Sequence, residues 1–84
     1  MKFYYITFRS VTFAQKAERA LKRAGVDCVM QRTPKELSQR GCGYCLKLRP
    51  TLVAQAKQRL DTENVQYGKI YGVGSDGSYE EMLI

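Results

Sequence analysis

Apolar and polar positions change period several times along this chain, and each change marks an element. In Phe3-Tyr4-Tyr5-Ile6-Thr7-Phe8 every residue is aromatic or β-branched. This predicts a strand with Tyr4, Ile6 and Phe8 on one face and Phe3, Tyr5 and Thr7 on the other. Spacing then lengthens to three and four through Phe13, Ala17, Ala20, Leu21 and Ala24, while Lys16, Glu18, Arg19, Lys22 and Arg23 fall outside the stripe. That is an amphipathic helix, capped by Ser10 or Thr12 and closed by Gly25. Alternation returns at residues 26–32, which predict a second strand with Val26, Cys28 and Met30 on one face. Thr33-Pro34-Lys35-Glu36 has the form of a capping box opening one helical turn through Ser38. Residues 44–48 alternate again as a third strand, with Leu46 and Leu48 facing the core. Pro50 opens a second long helix that buries Leu52, Val53, Ala56 and Leu60 and takes Thr51 as its cap. Residues 65–71 read as the last strand.

The order is β-α-β-β-α-β. The economical way to cover one face of an antiparallel sheet with two helices is the α+β, ferredoxin-like split β-α-β sandwich. Its expected extent is residues 1–71. Residues 72–84 carry Gly72, Gly74, Gly77 and the acidic Asp76, Glu80 and Glu81, and read as a turn plus a Gly-rich acidic C-terminal extension. Its apolar Tyr79, Met82, Leu83 and Ile84 can dock on the domain or on a neighbouring chain.

Eighty-four residues make a modest core but no deep, walled active site. No apolar run reaches the roughly 18–20 residues of a membrane span, and the aromatic start does not read as a signal peptide. Three cysteines, an odd number, argue against a secreted disulfide framework and for a reducing cytoplasm. Histidine is absent. With it go the usual general base, a Cys-His nucleophile pair and the commonest zinc ligand, so neither hydrolysis nor a metal centre is expected. No cofactor is implied.

Charge sharpens the picture in one place. The chain has 14 Lys and Arg against 8 Asp and Glu, a net +6. From residue 32 to 49, Arg32, Lys35, Arg40, Lys47 and Arg49 face only Glu36. Inside that window lies Gly41-Cys42-Gly43-Tyr44-Cys45. A thiol reacts as its thiolate, and neighbouring cations lower its pKa below about 8.5. Cys42 is therefore the candidate nucleophile, with Gly41 and Gly43 giving access and Arg40, Lys35 and Lys47 giving electrostatic support.

Cys42 and Cys45 also form a C-x-x-C, so Cys45 is a candidate resolving thiol of a small thiol-disulfide redox protein. Such a motif ordinarily opens a helix, whereas this one runs into a strand, where residues three apart point to opposite faces. Cys45 shares a face with Lys47 and Arg49, which leaves it either an exposed spectator or that resolving thiol. Cys28, alternating with Val26 and Met30, reads as a small buried hydrophobe.

A third reading is RNA binding through a basic, aromatic sheet face. Arg40-Gly41-Cys42-Gly43-Tyr44 echoes the third-strand string of RNA-recognition motifs, which share this element order. Its register would turn Cys45 and Lys47 toward the helices, and burying Lys47 unpaired costs several kcal/mol. Nucleic acid is not the favoured partner on this ground, although Phe3 and Tyr5 remain on the open face, where homodimerisation is also plausible.

The chain resembles a small bacterial family of selenium/sulfur (Se/S) carrier-like domains. The likeness covers roughly residues 3 to 71. It rests on Tyr4-Tyr5-Ile6-Thr7-Phe8 with Ser10, on Ala14-Gln15-Lys16-Ala17-Glu18-Arg19-Ala20-Leu21-Lys22 with Ala24-Gly25-Val26, and on Thr33-Pro34-Lys35-Glu36-Leu37-Ser38 leading into Cys42-Gly43, with Leu46 and Arg49-Pro50 beyond. The resemblance implies a non-catalytic carrier that holds sulfur or selenium on Cys42 as a persulfide or selenopersulfide. Donor and acceptor proteins are then its partners. The chain departs from the family in Cys45, in Lys47 and in its acidic tail.

Overall fold

A computed structural model describes residues 2–37 and 43–82. Arg40, Gly41 and Cys42 lie outside the described residues, as do Ser38, Leu83 and Ile84. The elements run β1 (Phe3–Phe8), α1 (Val11–Arg23), β2 (Val29–Arg32), β3 (Tyr44–Leu48), α2 (Val53–Thr62), β4 (Ile70–Val73) and β5 (Tyr79–Met82). They form an α+β fold: one five-stranded sheet of order β2-β3-β1-β4-β5, every neighbouring pair antiparallel, with two helices. Its first four strands stand in the order of the split β-α-β sandwich, with β3 between β2 and β1, and β1 between β3 and β4.

Registers fix the two faces. Ile6 lies opposite both Leu46 and Ile70, and Met30 opposite Leu46. These positions meet Ala14, Ala17 and Leu21 of α1 and Val53, Ala56 and Leu60 of α2 in a single core, so both helices cover the same face. Leu46 and Leu48 are buried as the alternation predicts. The core-facing stripe of α1 is nearly all alanine, which lets that helix approach the sheet and α2 closely. Ser10, not Thr12, caps α1, its Oγ accepting from the Phe13 N–H, and Gly25 follows the helix at φ +77°, where a Cβ would be strained. Arg23 at the end of α1 pairs with Glu63 just beyond α2 at 2.7 Å.

Several boundaries differ from the sequence reading. The second strand shortens to Val29–Arg32; Val26 and Cys28 are buried in extended chain that approaches it. After Thr33 the chain makes a tight turn, with the Leu37 N–H donating to the Pro34 carbonyl at 2.9 Å, in place of the expected helical turn. Pro50–Leu52 is a 3₁₀ turn before α2, and neither Thr51 nor any other side chain caps that helix. Residues 65–69 are not strand; the pairing starts at Ile70 because the Thr7 backbone and hydroxyl bind the Gly68 and Lys69 backbone first.

β5 is the largest addition. A turn at Gly74–Ser78, in which Asp76 Oδ1 accepts from the Ser78 N–H and Oγ–H, returns the chain against β4. Tyr79 and Met82 thus dock on the domain itself. Alternation was hidden here because two glutamates occupy the middle of the strand.

Candidate functional site

Gly43 is the described residue next to Cys42, and its setting is specific. Its φ is +137°, a region L side chains rarely adopt. A Cβ placed on it would sit 3.4 Å from the Phe8 carbonyl and 3.5 Å from Thr33 Oγ1. Its own carbonyl accepts the Thr33 N–H at 3.2 Å, continuing the β2–β3 pairing past Arg32 opposite Tyr44. Gly43 therefore sits where β1 and β2 end and β3 begins. Glycine is favoured here by backbone conformation, since a Cβ would make only ordinary contacts with Phe8 and Thr33.

This location sorts the charges. Arg32 pairs with Tyr44 at the end of β2, and Arg9 directly follows Phe8, which also pairs with Tyr44. Arg9 also borders a cleft of about 610 Å³ shared with Asp61, Asn64, Tyr67 and Gly68. The sequence reading missed Arg9, since it lies thirty-odd positions away and only the β1–β3 pairing brings it to this end. Lys35 is exposed in the turn after β2. Lys47 is elsewhere. Its ammonium lies 3.8 Å from the centroid of the Phe3 ring, and its Cα is roughly 13 Å along the strand from Gly43, at about 3.3 Å per residue. The expectation that Lys47 supports the Cys42 thiolate does not fit this placement.

The other two thiols are free and buried. Cys28 packs in the core between helix and sheet, and burial, with a smaller contribution from Glu18, pushes its pKa up to about 11. Cys45 points to the opposite face of the sheet from Leu46, as the alternation predicts, yet it is 0% exposed. Of the two alternatives for Cys45, this sets aside the exposed spectator. In the interior strand β3 it is flanked by Thr7 and Gln31, its Sγ–H donates to the Arg32 carbonyl at 3.9 Å, and the Thr33 side chain is close by. Burial raises its pKa to about 11, against the opposing effect of Thr33. Tyr79 of β5 lies on the same side of the sheet, its ring beside that of Tyr5. Its phenol is held above the ordinary tyrosine range, by burial first and then by the nearby charges of Glu36, Tyr5 and Cys45.

Among the described residues no three His, Cys, Asp or Glu side chains gather closely enough to hold a metal ion. No described helix is long and apolar enough to cross a membrane. No curated protein and no solved structure matches the chain. A family model does, over residues 3–72, from the start of β1 to the middle of β4. That span covers most of the chain and includes Cys42 and Gly43, and by it the chain belongs to the family described as "Putative Se/S carrier protein-like".

Proposed function

We propose that Cys42 carries a sulfur or selenium atom between partner proteins, held as a persulfide or selenopersulfide. The family description supports the cargo. The observation that carries the assignment to this cysteine is the state of the other two, whose thiols are buried and pushed up to about 11. A thiol held protonated in the interior neither attacks a donor nor intercepts a loaded sulfur.

The transfer balances without an added oxidant. The Cys42 thiolate attacks the terminal sulfur of a donor protein's persulfide, the donor's S–S bond breaks, and the donor leaves as a thiolate. Cys42 then bears the sulfane sulfur, and delivery repeats the step with an acceptor thiolate. Selenium follows the same course from a selenopersulfide. Gly41 and Gly43, flanking the thiol without side chains, let it enter a partner's active site. Arg40 and Lys35, together with Arg9 and Arg32 at the same end of the sheet, favour the thiolate and orient an acidic rim on the partner. Cys45 stays out of the exchange, so no Cys42–Cys45 disulfide discharges the cargo. A reducing cytoplasm suits such a thiol.

Incubation with a cysteine desulfurase and cysteine, followed by mass spectrometry, tests this. The protein should gain the mass of one sulfur atom on Cys42, and Cys42→Ser should gain none while melting normally. An adduct confined to Cys28 or Cys45, or no adduct at all, overturns the assignment.

A further inference from the structure

The sheet face turned away from the helices carries chemistry that the carrier reading does not use. The strand registers place Tyr5 between Lys47 and Tyr71 across the sheet, and Phe3 beside Val73. Tyr79 joins them, its ring centroid 6.4 Å from that of Tyr5. These rings are part-exposed, and Val29 beside Lys47 is 60% exposed, so among the described residues this face keeps solvent-accessible apolar surface.

Cations surround it. Lys47 Nζ stands 3.8 Å over the Phe3 ring and Lys2 Nζ 6.0 Å from the same centroid. Arg49 lines a cleft of about 320 Å³ with Phe3, Val29 and Lys47. Among the described residues none of Lys2, Lys47 and Arg49 has a carboxylate within ion-pair distance. Glu81, the acid in the Tyr5 row, is already engaged by Lys69 at 3.4 Å, Asp27 stands at the cleft's edge, and Glu36 lies on the Tyr79 side, away from the three cations.

From this combination we infer that the open sheet face binds single-stranded nucleic acid. Rings spread over a flat face stack on the π-faces of unpaired bases, and cations without local partners take the phosphates. An acidic peptide would satisfy the cations and leave the rings without an equivalent. Lys47 is the residue poised between the two tasks: its ammonium covers the face of Phe3 that a base would occupy, and moves to a phosphate when the base arrives. The proposal does not depend on the third-strand echo of RNA-recognition motifs, because Leu46 and Leu48 face the core and that register is absent. The rings come from β1, β4 and β5 instead.

Fluorescence anisotropy of an end-labelled oligouridylate, titrated with the full chain across a salt series, tests it. Wild type should bind with affinity that falls as salt rises. Phe3→Leu with Tyr5→Leu, both on the outer face, should weaken binding by about fivefold or more. Lys47→Gln should flatten the log–log salt slope by roughly 0.7. If the double variant melts early, Lys47→Gln carries the test alone. Oligothymidylate in place of oligouridylate reads whether the 2′-hydroxyl contributes, and binding of either supports the proposal. Salt-insensitive or absent binding overturns it, as does a double variant that binds like wild type. Tighter binding to a duplex than to the single strand, or a homodimer that excludes the oligonucleotide, overturns it too.

Discussion

Alkylation of the folded protein should modify one thiol quickly and two very slowly. The perturbation is a small haloacetamide at pH 8, and the contrast can be worked for Cys45. A thiol with pKa of about 11 is only about 0.1% thiolate at pH 8, against roughly a quarter for a free cysteine near 8.5, a ratio of about 200. The more basic thiolate is intrinsically a better nucleophile, which returns roughly tenfold. Ionisation alone therefore slows Cys45 by only about 20-fold. Enclosure matters more. Cys45 is 0% exposed, so the reagent reaches it only when β3 parts from its neighbours, and an opening that costs about 3 kcal/mol slows the reaction by a factor of roughly 100. Opening also restores an ordinary thiol pKa, so the two factors do not multiply, and Cys45 should react about a hundredfold more slowly than an exposed thiol. Cys28, 8% exposed and likewise raised to about 11, should be slow for the same reasons. Peptide mapping of timed, quenched samples measures all three rates, and urea should bring them together. Cys45 reacting within tenfold of Cys42 in the folded state would refute the reasoning.

The same buried thiols make stability depend on alkaline pH. Their folded pKa values lie above the unfolded ones, so the folded chain keeps protons that the unfolded chain releases. Stability is whole below about pH 8 and falls toward pH 11, by at most about 3 kcal/mol per thiol; urea midpoints should drop across that window, and less steeply in Cys45→Ala. Gly43→Ala puts a side chain at φ +137° against the Phe8 carbonyl. It should cost about 1–3 kcal/mol in urea unfolding and reduce sulfur loading on Cys42; an unchanged midpoint would show that the backbone relaxes freely there.

What could be read from the residues alone depended on how local the signal was. The alternation in Phe3–Phe8 and Tyr44–Leu48, the three-four stripe of α1 and the glycine after it are short-range patterns, and each reappears as the expected element. β5 was missed because Glu80 and Glu81 mask its alternation, and residues 65–69 were overread because their backbone pairs locally with Thr7 instead of entering the ladder. The Cys42-Gly43 pair and the family likeness were also legible, being contiguous in the chain.

Sequence by itself determined the α+β pattern, the core-facing positions and the cysteine to examine first. Tertiary structure decided the standing of everything around that cysteine. Burial of Cys45 depends on its place inside the sheet, with Thr7 and Gln31 paired on either side and the Arg32 carbonyl accepting from its thiol. Lys47 belongs to Phe3 and Arg9 to the end of the sheet because antiparallel registers, not sequence distance, set which side chains meet. Periodicity reports which way a side chain points, whereas solvent exposure and electrostatic neighbourhood are set by chain segments that only folding brings near.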